Sequence, residues 1–486
     1  MSVSFNEIPA GTLVPYTYIE FDSSRAMARS QGVQPYRVLL VGQKLKDGSQ
    51  PSFVPVRIAS EAEASERFGT GSMLHSMVAA AFQNHRDVET WAIAVDDPDV
   101  GTRAQAMVTI EGTVEGRGVF AGYVGGRPYR FPIADLSLAD VAKSIAAIIM
   151  NDPLRHADAE VHENKVTITA RHAGEVGNAI DLRLNYFMGE STPRGLKVKA
   201  ELTVPGTGNP DIARVIKAAA SEQWNVIASP HTDEPGLTAW DKDLEDRWGP
   251  LRQTDGHLFT ASNLGGEELS NRFKAMNSKH ITIMAATDSP SPVWEWAAAT
   301  ASVNAFEAQT DPARPYQTLA LKGILAPKKI MGLAERDLRL KDGIATTTVD
   351  PSGTIRIERL VTTYKRSPAG ALDRAYFDLN TKQTLSLLRW DFRNHFMTKF
   401  ARHKLADDGT RFGAGQAILT PKTAKAEALS KFAEWEERGL VENADQFRKE
   451  MIVERNRQNP NRLDFMLPPD LINQLMITAV QIGFVV

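Results

Sequence analysis

The sequence predicts an α/β plus α+β multidomain chain. An α/β layer is interrupted by a β-rich insertion and followed by a C-terminal α+β domain with extended arms. Three observations predict this. The 486 residues exceed one ordinary core and imply about three domains. Apolar runs of strand length alternate with amphipathic helical stretches over 37–103 and again over 205–325, the pattern of a mostly parallel sheet with helices on both faces. Residues 104–204 change texture, with Gly-rich, β-branched stretches around one short helix.

The elements follow in order. Residues 1–34 form an arm and linker. Pro9, Gly11 and Pro15 oppose a helix, and Val14, Tyr16 and Tyr18 alternate with Thr17 and Ile19 as on an extended strand. Such a strand either closes the chain's own sheet or reaches a neighbour. Residues 35–103 begin the α/β domain. Arg37-Val-Leu-Leu-Val-Gly42 is a buried strand, and Ser60, Glu63 and Gly69 bracket a helix by capping box and C-terminal glycine. A second helix spans 73–85 and a strand spans 90–95.

Within 104–204, residues 107–112 and 116–124 read as a hairpin, and Ser137 caps a helix to Met150. A second hairpin turns at Glu163-Asn164, and a strand covers 180–186. The α/β pattern resumes over 205–325, with Asn209 capping a helix that has Pro210 at its first position. Strands at 224–229, 257–261 and 280–285 alternate with helices at 237–248, 265–277 and 293–309.

Residues 326–470 form the C-terminal domain. A hairpin turns at Asp350-Pro-Ser-Gly353, and a helix spans 372–404 with Leu385, Leu388, Phe392 and Phe396 on one stripe. Thr420-Pro421 opens a helix that Gly439 stops, and strands follow at 448–455 and 462–466. Residues 471–486 are long, β-prone and almost uncharged. An apolar strand of this kind needs a partner, because an unpaired one is an aggregation hazard.

Composition excludes several functions. Net charge is -3, from 56 basic and 59 acidic residues, which argues against nucleic-acid binding. There is no cysteine, so disulfides, thiolate catalysis and Cys-ligated metals are absent. No apolar run spans a bilayer. The opening residues carry no basic or apolar signal region, so cytoplasmic synthesis is expected.

The search for catalytic motifs is negative. Gly42 to Gly48 lacks the spacing of a phosphate loop, and the glycines after Pro205 fail the dinucleotide pattern. His156, His162 and His172 have no accompanying Cys or carboxylate set for a metal. Gly69-Thr-Gly-Ser72-Met resembles the serine turn of subtilisin-like hydrolases, with Asp96 or Asp97 and His231 or His257 as partners. In those enzymes the serine follows both partners, and here it precedes them. Ser262 or Ser289 restores that order and loses the glycine turn. No catalytic residue, cofactor or metal site is assigned. Lys422, Lys425 and Lys431 make at most a small basic patch.

The C-terminal third carries a resemblance. Asp311-Pro-Ala-Arg-Pro315, Leu319-Ala-Leu-Lys-Gly-Ile324 and Leu340-Lys-Asp-Gly-Ile-Ala-Thr346 are similar to segments of contractile phage tail sheath proteins. So are Ile357-Glu-Arg-Leu-Val-Thr-Thr-Tyr364, Val453-Glu-Arg-Asn456 and Asn461-Arg-Leu-Asp464. The likeness is strongest to Mu-like sheath subunits and includes Gly174-Glu-Val-Gly-Asn178 in the insertion.

The resemblance implies a structural subunit, not an enzyme. It implies a six-fold helical homo-oligomer around an inner tail tube, with baseplate and tail terminator proteins as further partners. The sheath would contract once, driving the tube through the host envelope for genome delivery. The α/β domain would be subtilisin-like without catalytic residues. Location in the virion tail follows, after synthesis in the bacterial cytoplasm, with neither direct nucleic-acid contact nor membrane insertion. A tailocin or other contractile injection system sheath shares the architecture. The arms would add strands to neighbouring subunits, through Val14, Tyr16, Tyr18 and Ile19 and through Val480, Ile482, Phe484 and Val486. Residues 471–479 would pair within their own domain. Lys422 and Lys425 are the candidates for facing the tube.

Overall fold

Parallel strands buried on both faces organise the chain from Tyr36 onward. The computed structural model describes residues 34–485. Val14, Tyr16, Tyr18, Ile19 and Val486 lie outside them. Strand β1 (Arg37–Gln43) is third from one edge of an eight-stranded sheet, beside β3 (Glu89–Val95), with short β2 (Val56–Arg57) on the outer edge of β3. Between β2 and β3 lie α1 (Glu61–Phe68) and α2 (Met73–Asn84). Ser60 Oγ accepts the Glu63 N–H, and the Glu63 carboxylate accepts the Ala59 N–H, so helix α1 starts where the capping pattern predicts. Gly69 then turns the chain at φ 87°.

The inserted strands form two sheets of their own. They are β4 (Arg103–Gly112), β5 (Arg117–Val124), β6 (Arg127–Ala134), β7 (Ala157–His162), β8 (Lys165–Ala173), β9 (Leu182–Leu184) and β10 (Leu196–Val204). One sheet has the order β10-β4-β8-β7 and the other β6-β5-β9. Helix α3 (Leu138–Met150) buries Val141, Ile145 and Ile149 in the core they share. The predicted hairpin of 107–112 with 116–124 does not form, since β4 and β5 belong to different sheets. The partner of β5 is β6, joined through Gly125-Gly126, both at positive φ. Pro128 and Pro132 hide β6 in the sequence, and they are tolerated because β6 is an edge strand.

The main sheet then continues through α4 (Ile212–Ala218), β11 (Val226–Ala228), α5 (Glu234–Trp248), β12 (Leu258–Ser262), α6 (Gly266–Phe273), β13 (Ile281–Ala285) and α7 (Val293–Thr310). Asp211, not Asn209, caps α4 through the Ala213 N–H. Val38, Leu40 and Ala92 face α2 and α7, while Leu39, Val41 and Ile93 face α4, α5 and α6. Helix α7 is buried nearly all round, which its run of alanines permits against the sheet.

The sheet does not stop at 325. After α8 (Leu333–Lys341), strand β14 (Ile344–Val349) pairs parallel with β13, and β15 (Ile355–Arg359) follows antiparallel. The predicted boundary at 325/326 therefore divides one sheet. Hairpin chemistry at Asp350 is local and carries no information about which sheet receives it.

The remaining elements are α9 (Leu379–Phe400), β16 (Lys404–Leu405), β17 (Ile418–Leu419), α10 (Pro421–Glu437), β18 (Val441–Glu442), α11 (Ala444–Glu450), β19 (Ile452–Arg455), β20 (Leu463–Met466) and β21 (Asp470–Leu471). Helix α9 begins at Leu379, seven residues after the predicted start at Leu372, because 366–372 form a bridged loop. Its buried face carries Lys382, Ser386 and Asp391 as well as Leu387 and Leu388, so the predicted apolar stripe is only part of it. Of the strand predicted at 448–455, residues 452–455 form β19, while 448–450 close helix α11, which Asn443 turns in at φ 63°. Phe432, Trp435, Leu440 and Phe447 form the core of this region.

Candidate assembly interface

The C-terminal segment leaves its own fold almost at once. Strand β21 pairs with β18 for two residues, and the Ile472 N–H donates to the Leu440 carbonyl. Beyond that point, Gln474 reaches the Ala313 carbonyl, and Gln317 reaches the Leu475 carbonyl. The expected pairing of 471–479 is thus limited to its start. No described residue from 473 to 485 lies in a strand. The two-residue strand β18 offers no longer ladder to pair with.

The exposed part is apolar. Ile477 is 79% exposed, Val480 76%, Ile482 83% and Phe484 84%. In an extended backbone Val480, Ile482 and Phe484 point to one side. Nearby, β19 and β20 form a two-stranded sheet, Ile452 opposite Met466, and both of these side chains are half exposed. A two-stranded sheet alone is marginal in water.

The basic residues of α10 separate. Lys422 is exposed. Lys425 Nζ donates to the Met451 carbonyl at 2.9 Å. Lys431 is buried and lies 2.8 Å from Asp391 and 2.7 Å from Glu434. Helix periodicity turns Lys431 inward beside Ala424, Ala428 and Trp435, so it leaves the predicted patch.

The hydrolase-like residues are structural. Ser72 Oγ is buried and accepts the His75 N–H as the cap of α2. His172 Nε2 accepts the Met73 N–H at 3.0 Å, which leaves the proton on Nδ1, 3.2 Å from Asp97 Oδ1. Asp97 also accepts from Gln43 Nε2 and the Ala173 N–H. Burial raises the Asp97 pKa, and the bonds from His172 and Ala173 outweigh it, leaving the carboxyl below its usual range. Burial lowers the His172 pKa. An aspartate–histidine pair is present, yet it holds a helix N-terminus and no nucleophile.

Ser289 Oγ donates to the Leu325 carbonyl, and Ser262 Oγ accepts the Leu264 N–H. His257 Nε2 is bonded to Thr282 Oγ1 at 2.8 Å, far from Ser72 in the topology. Among the described residues, no group of three or more His, Asp or Glu is placed to hold a metal. No described helix is long and apolar enough to cross a membrane.

Similarity to known proteins points the same way. Residues 206–363 match the phage tail sheath protein central domain, and residues 372–484 match the phage tail sheath C-terminal domain. The Mu-like prophage FluMu tail sheath protein of Haemophilus influenzae is 38% identical over 488 residues, covering all of both chains. The chain belongs to the phage tail sheath family. A sheath subunit is a structural component of a contractile phage tail or injection system and not an enzyme. Its place is the virion tail.

Solved sheath structures also align over most of the subunit. A sheath tail protein of Listeria innocua is 13% identical at TM-score 0.49, covering 92% of this chain and 94% of its own. The contracted helical sheath of the anti-feeding prophage is 12% identical at TM-score 0.47, covering 97% of this chain and 99% of its own.

Proposed function

We propose that copies of this sheath subunit polymerise into a six-fold helical tube around an inner tail tube, joined by strands passed between neighbours. The tube contracts to drive the inner tube through the host envelope. The observation that carries the joint is the exposed apolar run from Leu475 to Val485. A strand with such side chains gains by adding to a foreign sheet edge, where main-chain bonds give affinity and alternate side chains give register. Burying Leu475, Ile477, Val480, Ile482 and Phe484 contributes on the order of 10 kcal/mol before ordering costs. The two-stranded sheet β19–β20 is a receiving edge with unfilled valence. Val14, Tyr16, Tyr18, Ile19 and Val486 extend the same scheme.

The α/β domain serves as a subtilisin-like scaffold without catalysis, and Lys422 with Lys425 faces the inner tube. Baseplate and tail terminator proteins close the two ends of the sheath. The subunit is made in the bacterial cytoplasm. A tailocin or another contractile injection system uses the same mechanics without genome delivery.

Deletion of 481–486 tests the joint. The expected product is a folded, soluble monomer that forms no tubes under the electron microscope. Tubes from the truncated chain overturn the threading of these residues.

A further inference from the structure

Among the described residues, the four-stranded sheet of the insertion has two unpaired edges with opposite charge patterns. Strand β10 is paired on one side only, by β4, and from Lys199 to Val204 every residue is exposed, Leu202 by 57%. An edge of this kind, in a nine-residue strand exposed without a break over its last six, is normally blunted or paired. The other edge, β7, is short and also paired on one side only, by β8. The register across the sheet aligns Glu160 with Thr167, Met107 and Glu201, so these share one face with Lys197 and Lys199. That face of β10 carries Lys197 and Lys199, and that face of β7 carries Asp158 and Glu160. The opposite face carries Leu196 and Val198 on β10, and Ala159 and Val161 on β7, all lining the insertion's core.

One detail marks the β7 edge as unfilled. The Ala159 N–H donates to Met150 Sδ at 3.3 Å, and a thioether is a weak acceptor. Met150 is itself 41% exposed and flexible enough to move aside for a carbonyl.

We infer that, in the assembled sheath, edge β10 of one copy pairs antiparallel with edge β7 of the next, extending the insertion's sheet from subunit to subunit. Resting on the sheath reading above, this adds a second joint, distinct from the terminal threads. The direction is set by the sheet. Its four strands are mutually antiparallel, so β10 and β7 run oppositely, and continuing the sheet keeps them antiparallel. Pairing of β10 with β10 would need a two-fold axis, which a polar helical tube lacks. A head-to-tail contact repeats along such an array without one.

Charge selects the register. Placing Lys197 opposite Glu160 puts Lys199 opposite Asp158, Val198 opposite Ala159 and Leu196 opposite Val161. Slipping by two residues toward the C-terminus of β10 sets Glu201 against Asp158, a like-charge pair. The pairs that form must compete with the present contacts of Lys199 with Glu201 and of Asp158 with Arg155.

Absence of cysteine makes the contact directly readable. Copies carrying Lys197→Cys are co-assembled with copies carrying Glu160→Cys, and the tubes are oxidised mildly. Disulfide formation requires Cα atoms within about 7 Å. The expected result is a covalent dimer on a non-reducing gel from the mixture and from neither variant alone. A mixture of Lys199→Cys with Glu160→Cys copies should give a much weaker band. Tubes that yield no dimer in the extended or the contracted state overturn this inference and leave the sheath reading intact. Dimers from Lys197→Cys copies alone also overturn it, since they report a β10–β10 contact. Failure of the unsubstituted chain to form tubes removes the sheath reading and this joint with it.

Discussion

Asp391 on α9 and Lys431 on α10 form an ion pair at 2.8 Å with both side chains almost completely buried. The Trp435 indole N–H donates to the same carboxylate at 2.6 Å. The pair fixes one helix against the other inside an otherwise apolar core of Phe432, Trp435 and Leu440. Buried pairs are costly to break from one side, because the remaining charge loses its partner in a low-dielectric setting. Lys431→Ala is expected to lower stability by about 3–5 kcal/mol, read as the urea midpoint of the monomer. Replacing Asp391 and Lys431 together by apolar residues of similar volume should recover most of that loss.

Gly343 turns the chain from α8 into β14 at φ 77°. A Cβ there would lie 3.0 Å from the Thr363 Cα and 3.1 Å from the Thr362 carbonyl oxygen, both backbone atoms. The Gly-Ile-Ala-Thr and Thr-Thr-Tyr segments of the family resemblance therefore meet in space. Gly343→Ala should destabilise by more than about 1 kcal/mol, since left-handed strain adds to the contact. Gly353→Ala, also at positive φ but with open space around it, should cost less. Thermal midpoints of the two variants separate the contributions.

Much of this fold is legible in the sequence because its signals are local. Ser60, Ser137 and Thr420 cap the helices that the sequence assigns to them, since a side-chain oxygen and the next turn suffice. Partnership between strands is not legible in the same way. Nothing local says that β14 joins β13, and Pro128 and Pro132 mask the strand into which the Gly125-Gly126 turn leads. The burial of Lys431 is equally hidden, because its partner Asp391 lies on another helix. The recognisable blocks of the C-terminal third identify the family where spacing and charge can only exclude enzymes. At the final segment, an apolar alternation predicts a strand but not its sheet, and the chain's own fold pairs only its start.

Asp97 joins the insertion to the main sheet. It accepts from His172 and the Ala173 N–H on β8, and from Gln43 at the end of β1. Asp97→Ala leaves His172 and the Ala173 N–H without their acceptor, while Gln43 keeps the Ala173 carbonyl, and should cost about 2–4 kcal/mol. Asp97→Asn keeps an acceptor and should cost less. Neither variant, nor the native chain, should take up a fluorophosphonate at Ser72, whose oxygen already accepts the His75 N–H. An intact-mass measurement reads this directly.

His231 gives the clearest pH signature. It is 1% exposed, and neither ring nitrogen has a hydrogen-bond partner among the described residues. Burial, with a smaller contribution from His172, pulls its pKa down to about 4 from the ordinary 6.5. Between those values the unfolded chain binds a proton that the folded chain refuses. The folded state is therefore penalised progressively as pH falls from about 6.5 to about 4, by up to about 1.4 kcal/mol per pH unit. His280, held at about 3 by burial and the nearby Lys382, adds a slope in the same direction that extends lower. His231→Phe keeps an aromatic ring of similar size and removes the titration. Its urea midpoint should match the native chain near pH 7.5 and exceed it increasingly below pH 6.5. Parallel midpoints from pH 7.5 to pH 4.5 would show that His231 is protonated as readily in the folded chain as in the unfolded one.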